Sequence, residues 1–204
     1  MQRAAAAKCI GNLRAMGAAA HSYAAENGGR LPRRIQSSDS SGTVNNYSGG
    51  QWFAQIAPYL GVDVLAKGNF ATVFVCPGAK RFPDSKWPLS QNNSYGLNRR
   101  IPDRPLVSIS NLSSLVLIAD RQLTAESNEN YLTAGGANNA LFIDEREGPT
   151  ALLPYDRHGG FINILFADGH VAPRAKIGRT GTGFQPNHPR GARFIIDGPT
   201  APAE

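Results

Sequence analysis

The chain has 204 residues, of which 41% are hydrophobic and 18% charged. This composition argues against a disordered protein and is sufficient for one well-cored domain. The 22 glycines and 14 prolines argue against an all-helical fold and favour strands joined by turns and long loops. The formal charge of +6 favours acidic partners such as DNA. However, basic pairs such as Arg99–Arg100 lack interleaved aromatic residues, so we expect a solvated surface rather than a DNA site.

The N-terminal residues 2–27 are predicted to form one amphipathic helix. Apolar and small residues recur there at steps of three and four, which places them on one helix face: Ile10, Leu13, Met16, Ala20, Tyr23 and Ala24. Gly28 and Gly29 supply the left-handed residue that ends a helix, and Pro32 prevents its continuation. Because the helix is rich in alanine and contains Gly17, we expect another element to approach it closely. We therefore divide the chain into a helix at 1–29 and a globular head at 30–204.

The start of the chain is abrupt. Met1 leads directly into the amphipathic segment, with neither a signal peptide nor a run of roughly 20 apolar residues that could span a membrane. The pattern predicts that Met1 lies within a longer helix.

The middle of the chain carries weaker patterns. Residues 51–60 are predicted to form a short helix with its large apolar side chains on one face. Residues 70–75 are predicted to form a strand. The density of Pro, Asn, Ser and Arg predicts irregular structure over 80–105.

The C-terminal half is predicted to supply the sheet. Residues 114–120, 140–143 and 161–167 have the composition of strands, and the last is apolar on both faces, which predicts a central position. Asp168–Gly169 is predicted to form a two-residue hairpin turn, which would pair Ala167 with His170 and Phe166 with Val171. The returning strand should lie at an edge or stop at Pro173, because proline cannot donate to the ladder.

The cysteines Cys9 and Cys76 show neither CxxC spacing nor the nearby histidines of a zinc site. They are therefore either a disulfide or two buried thiols. In an oxidising compartment a bridge would close a loop of about 67 residues and contribute roughly 4 kcal/mol.

One spacing carries a family resemblance. His158 is separated from Asp168–Gly169 by nine residues, and this segment resembles the H-X9-DG domain of prepilin-type proteins. The N-terminal region is similar to the same family in its cysteine-containing helix and its glycine and proline stop. The matching residues of the N-terminal region are Cys9, Asn12, Leu13, Arg14, Gly17, Tyr23, Gly28, Gly29 and Pro32. Weaker matches lie between this region and the H-X9-DG segment, at Cys76, Pro77, Ser94, Tyr95, Gly96 and Asn98. The family commonly has Gln where Ala15 stands, and its N-terminal cleavage and methylation segment is not in this sequence.

The resemblance implies an α+β, pilin-like fold. The first half of the long N-terminal helix would be embedded in the inner membrane. The second half of that helix would pack on an antiparallel sheet. The implied function is that of a structural subunit of a type IV pilus or type II secretion pseudopilus, with other pilins as partners and a periplasmic or extracellular head. The alternative is a minor-pilin binding module for DNA or another acidic partner.

Catalytic and metal sites are weaker alternatives. Seven extended residues rise about 23 Å, so His158 and Asp168 should lie at opposite ends of one strand, with Asp168 shaping the turn and His158 bonding to a loop. A metal site could still form from Asp168 and His170 with Asp120 or Asp144. The resemblance makes calcium a further candidate, because pseudopilins often hold calcium in a C-terminal loop. The six or more oxygen ligands that calcium requires cannot be placed from the sequence. No catalytic motif is present, so we expect neither an enzyme nor a cofactor.

Overall fold

An N-terminal helix and one sheet form the framework of the described part of the protein. The computed structural model describes residues 2–32, 52–62, 72–79, 93–98, 105–121, 142–143 and 155–175. The helices are α1 (Gln2–Glu26) and α2 (Trp52–Ile56). The strands are β1 (Tyr95–Asn98), β2 (Val116–Asp120), β3 (Phe142–Ile143), β4 (Phe161–Phe166) and β5 (Val171–Ala175).

The sheet has the strand order β3-β1-β2-β4-β5. Strands β1, β2, β4 and β5 pair antiparallel with their neighbours, whereas β3 runs parallel to β1. The fold is therefore α+β, as predicted, and the antiparallel sheet carries one short parallel strand at its edge.

Helix α1 ends as its glycines predict. Both Gly28 and Gly29 have positive φ, at 65° and 75°, and the Gly29 N–H donates to the carbonyl of Ala24 at 2.8 Å. This bond satisfies one of the carbonyls that a helix end leaves unpaired. No described helix combines the length and the apolar character needed to cross a membrane.

The predicted packing face of α1 lies on the sheet. Leu13, Met16 and Ala20 are fully buried, and Tyr23 is half-buried with its ring edge-on to Tyr59 at 6.3 Å between centroids. At Gly17 the helix comes so close to β4 that an added Cβ would lie 2.8 Å from Cδ1 of Leu165. The close approach expected from the small residues is thus confirmed.

Strand β4 is an interior strand with two buried faces. Leu165 and Ala167, just after the strand, belong to the core shared with α1, whereas Ile162, Ile164 and Phe166 belong to a second core. All five are fully buried, so the prediction of a central strand is confirmed. The returning strand β5, which contains Pro173, lies at the sheet edge, as predicted.

The predicted hairpin register is wrong by one residue. Leu165 pairs with Val171, and the Phe166 N–H donates to the carbonyl of His170 at 2.9 Å. The loop therefore contains Ala167, Asp168 and Gly169, and the positive φ of 91° at Gly169 fits a three-residue hairpin loop whose last residue is left-handed.

Two predictions for the middle of the chain also need correction. Within 70–75, Thr72–Phe74 is a 3₁₀ helix rather than a strand. Within the predicted irregular region, Tyr95–Asn98 is a fully buried strand. Residues 51–60 are helical as predicted, as α2 followed by the 3₁₀ helix Ala57–Leu60, and the strand predicted at 140–143 is observed at Phe142–Ile143.

Candidate functional site

Four chemically active side chains meet beneath α1. They are Cys9, Cys76, Asp120 and His158, and their sulfur, oxygen and nitrogen atoms all lie within 4.8 Å of one another. We call them the thiol–carboxylate cluster. It is the one group of three or more potential metal ligands found among the described residues.

Each member of the cluster is placed by a different element. Cys9 lies on the buried face of α1, one turn before Leu13. Asp120 is the last residue of β2, next to β1 and β4 in the sheet. His158 ends the 3₁₀ helix Tyr155–His158.

The segment that contains Cys76 packs tightly against His158. Gly78 lies there, and a Cβ at this position would be 3.0 Å from Cγ of Arg157 and 3.4 Å from Cε1 of His158. A larger residue at position 78 would therefore press on Arg157, beside the imidazole. The glycine allows the Cys76 segment to reach the cluster.

Asp120 is the centre of the cluster. Its Oδ2 accepts a hydrogen bond from the backbone N–H of Asn163 at 2.8 Å and lies 3.2 Å from Nε2 of His158. Its Oδ1 accepts from Cys9 Sγ at 3.2 Å and lies 3.7 Å from Nη1 of Arg157. A fully buried carboxylate requires such hydrogen bonds and counter-charge, and Asp120 has both.

A second layer of polar groups orients these side chains. The Tyr95 hydroxyl donates to Cys9 Sγ at 3.4 Å, and Asn12 Nδ2 donates to the Tyr95 hydroxyl at 3.3 Å. Arg157 donates from Nη2 to the carbonyl of Arg121 at 2.7 Å. The cluster is therefore held from the helix side and from the sheet side.

The two cysteines differ in acidity because their neighbours differ. The contact with Cys9, together with a hydrogen bond from His158, lowers the pKa of Cys76 to about 6. The contact with Cys76 and burial raise the pKa of Cys9 far above its usual range. Burial acts to lower the pKa of His158, but hydrogen bonds to Asp120 and Cys76 outweigh it and raise that pKa to about 9. Both shifts favour a Cys76 thiolate beside a His158 imidazolium, whose Sγ and Nε2 lie 3.4 Å apart.

The geometry does not fit a cysteine protease type of triad. In a triad the imidazole uses one nitrogen for the nucleophile and the other for the carboxylate. Here Nε2 of His158 faces both Cys76 and Asp120, and its buried Nδ1 has no hydrogen-bond partner among the described residues. Both thiols are fully buried, so a substrate carbonyl has no open approach to either. The arrangement is suited to holding a small ion or to stabilising the fold.

Sequence reasoning did not anticipate this cluster. Cys9 and Cys76 are two buried free thiols, which was one of the two states left open. The expected bond of His158 to a loop is present, because His158 contacts Cys76 in the loop that follows Thr72–Phe74, and it also contacts the side chain of Asp120 in β2. One sequence feature could have pointed to the site: Asp120 is a carboxylate that ends a wholly apolar run.

The metal group suggested from sequence does not assemble as proposed. Asp168 and His170 do lie together in the hairpin, with Asp168 Oδ1 2.6 Å from His170 Nδ1. Asp120 is absent from this pair because it bonds to Asn163, near the other end of β4. As predicted, His158 precedes β4 and Asp168 follows it. Most of the C-terminal loop in which calcium was considered lies outside the described residues, as do Arg99, Arg100 and the alternative ligand Asp144.

Comparisons with known proteins give no relative: the chain matches no protein-family model, no curated protein and no solved structure. The functional argument therefore depends on the sequence motifs and on the geometry of the described residues.

Proposed function

We propose that this chain is the globular head and adjoining helix of a pilin-like subunit that acts by assembly into a type IV pilus or a secretion pseudopilus. The observation that carries the proposal is the packing of the single N-terminal helix α1 against β4 of an antiparallel sheet, with Gly17 at the contact. This arrangement is the one that the H-X9-DG resemblance implies. The proposal includes no catalytic activity.

The outer face of α1 supports this role. One row of exposed positions recurs at steps of three and four along the helix and carries mostly small side chains: Ala4, Ala7, Gly11, Arg14, Ala18, Ser22 and Ala25. The exposed charges Arg3, Lys8 and Glu26 flank this row. Small side chains allow a second helix to approach closely. The first fully buried position of α1 is Cys9, so the start of the helix has little contact with the head. In a filament, this surface would pack against the helices of neighbouring subunits.

Anchoring is a further part of the proposal. In the resembling family, α1 continues a membrane-embedded segment, which would place the head on the periplasmic or extracellular side of the inner membrane. The gene sequence upstream of Met1 tests this point. A short leader followed by about 20 apolar residues is expected, and a conventional cleaved signal peptide would contradict it.

Cysteine cross-linking in cells tests assembly. Ala7→Cys and Ala18→Cys place a thiol on the exposed face of α1 in the full-length protein, while the wild-type chain, whose own thiols are buried, measures the background. Val107→Cys is the matched control because Val107 is 97% exposed and lies outside α1, in the short 3₁₀ helix Leu106–Ser108. We expect ladders of cross-linked subunits from the two helix positions, well above those from Val107→Cys. Equal background cross-linking from all three variants would refute the proposal.

A second candidate function is binding of DNA or another acidic partner by the head. The net charge of +6 supports it, because phosphate neutralisation by Lys and Arg favours association. Retention on immobilised DNA should then fall steeply as salt is added. Absence of retention at low salt would exclude this candidate without affecting the assembly proposal.

A further inference from the structure

We infer that Cys9, Cys76, Asp120 and His158 form a binding site for a single tetrahedral divalent metal ion, with zinc as the best match. This inference concerns the buried contact between α1 and the sheet and does not depend on the assembly proposal. It is carried by the convergence of four ligand atoms from separate segments of the chain.

Three of the distances between the potential ligand atoms are close to those of a tetrahedral site, two of them to different oxygens of Asp120. Zinc bonds of about 2.0–2.3 Å separate neighbouring ligand atoms by roughly 3.3–3.8 Å. In the structure, Cys9 Sγ lies 3.2 Å from Asp120 Oδ1, Cys76 Sγ lies 3.4 Å from His158 Nε2, and His158 Nε2 lies 3.2 Å from Asp120 Oδ2. Since all pairs lie within 4.8 Å, small side-chain adjustments would place all four around one ion.

The chemistry of the donors selects the metal. Two sulfurs, one imidazole nitrogen and one carboxylate form a donor set that suits zinc and similar borderline ions. Calcium and magnesium require shells made of oxygen, and within the cluster only Asp120 provides oxygen atoms. The cluster is therefore a poor calcium site.

The charges balance when a divalent ion is present. Metal binding requires both thiols to lose their protons, so two thiolates and the Asp120 carboxylate carry three negative charges. A divalent cation and the guanidinium of Arg157, 3.7 Å from Asp120 and 1% exposed, together supply three positive charges. Net neutrality matters because an uncompensated charge in a buried site is costly.

The groups around the cluster resemble an outer ligand shell. Ligands of metal sites are usually oriented by hydrogen bonds from their surroundings. Tyr95 donates to Cys9 Sγ, and the Asn163 N–H donates to Asp120 Oδ2; both bonds can persist when the ligands are ionised. The imidazole of His158 has no such bond at Nδ1 and is instead held by its packing against Gly78.

The competing use of the two sulfurs is a Cys9–Cys76 disulfide. A disulfide would involve neither His158 nor Asp120, and it would remove the Cys9 S–H that now donates to Asp120. The convergence of all four side chains favours the metal, and the disulfide is an outcome that the experiment distinguishes.

Metal titration of the full chain tests the inference. Protein kept reduced and stripped with a chelator is titrated with zinc, and separately with cobalt, whose spectrum reports tetrahedral geometry and thiolate ligands. We expect one ion per chain, thiolate-to-cobalt charge-transfer bands, and a higher unfolding temperature with zinc than with chelator.

Variants assign the ligands. Cys76→Ser and His158→Gln should each weaken zinc binding by more than about 100-fold, beyond the 10–100-fold expected for an outer-shell change such as Tyr95→Phe. His170→Gln is the matched control, because His170 is exposed and lies in the hairpin, and it should bind zinc like the wild type. Circular dichroism in chelator checks that each variant is folded.

Three results would overturn the inference. The first is the absence of stoichiometric zinc or cobalt uptake by the folded, reduced wild type, a test that needs no variant. The second is a result that contradicts the assigned ligands: cobalt uptake without thiolate bands, or an equal loss of zinc affinity in His170→Gln and His158→Gln. The third is a Cys9–Cys76 disulfide in the isolated protein together with no metal uptake after reduction.

Discussion

The imidazole of His158 lies against the carboxylate of Asp120, with 3.2 Å between Nε2 and Oδ2 and side chains that are 2% and 0% exposed. This contact joins the first residue of the family-like H-X9-DG segment to the end of β2. It gives His158 a role in the interior of the head, whereas Asp168 at the other end of the segment is in the exposed hairpin. The two ends of the motif thus act in separate places.

Loss of the Asp120 charge should destabilise the metal-free protein strongly. Asp120→Asn keeps the shape of the side chain but leaves Arg157 and His158 buried without their carboxylate. Removing one partner of a buried ion pair typically costs about 3–5 kcal/mol, so we expect a loss of this size in the free energy of unfolding, measured by denaturant titration in chelator.

Asp168→Asn is the control for this prediction. Its partner His170 is 42% exposed, and exposed pairs contribute about 0–1 kcal/mol. Losses of equal size in Asp120→Asn and Asp168→Asn would contradict the central role assigned to Asp120.

The two glycines inside α1 should respond differently to alanine. A Cβ at Gly11 would meet nothing within 4 Å, so Gly11→Ala should stabilise the protein by about 0.5–1 kcal/mol through its better helix propensity. At Gly17 the new methyl would lie 2.8 Å from Leu165, and displacement of Leu165 should cancel that gain.

A larger residue at position 17 sharpens the test. Gly17→Val should cost about 1–3 kcal/mol, because overpacking forces the helix away from β4. Thermal unfolding of the variants measures these differences. Equal stabilisation by Gly11→Ala and Gly17→Ala would show that the helix does not approach β4 as closely as described.

The left-handed residue that ends α1 should be sensitive to side-chain type. Gly28 has a φ of 65° and open space around the position of a Cβ, so the cost of substitution is conformational rather than steric. Gly28→Ala should destabilise by about 1–2 kcal/mol, and Gly28→Asn should cost less because Asn tolerates this conformation. Chemical denaturation checks the order Gly, Asn, Ala, and an equal effect of both substitutions would contradict it.

The contact between Tyr59 and α1 should produce an alkaline pH dependence. The Tyr59 hydroxyl donates to Glu26 Oε2 at 2.6 Å, and this bond raises the pKa of Tyr59 above its ordinary value of about 10. A raised pKa in the folded state stabilises the protein fully below the unfolded pKa, and the contribution is lost as pH rises through the folded pKa. The wild type should therefore lose its stability advantage over Tyr59→Phe only above about pH 10.

Unfolding measured at several pH values, with both proteins in the same buffers, tests this. The other tyrosines are common to both chains, so their titration cancels in the difference. A difference that changes mainly below pH 8 would contradict the assignment to Tyr59.

Periodicity and turn chemistry were sufficient to predict much of the secondary structure. The spacing of apolar residues by three and four predicted α1, and the two glycines predicted its end. The apolar run before Asp168 predicted a central strand. These features are local, because the burial of one face and a left-handed backbone each restrict which residue types occur at a position. The hairpin loop was predicted one residue too short, since two-residue and three-residue loops share the same Asp-Gly sequence preference.

The tertiary structure alone determined the remainder. Tyr95–Asn98 contains Gly96 and Asn98, residues that disfavour strands, yet its pairing with β2 makes it one. Conversely, Thr72–Phe74 is a 3₁₀ helix. The strand prediction failed there because a short, mostly apolar run does not distinguish a strand from a buried helical turn. The thiol–carboxylate cluster depends on the order of strands in the sheet and on the position of α1 above it. No spacing along the chain encodes that arrangement, which follows from how the apolar faces pack together.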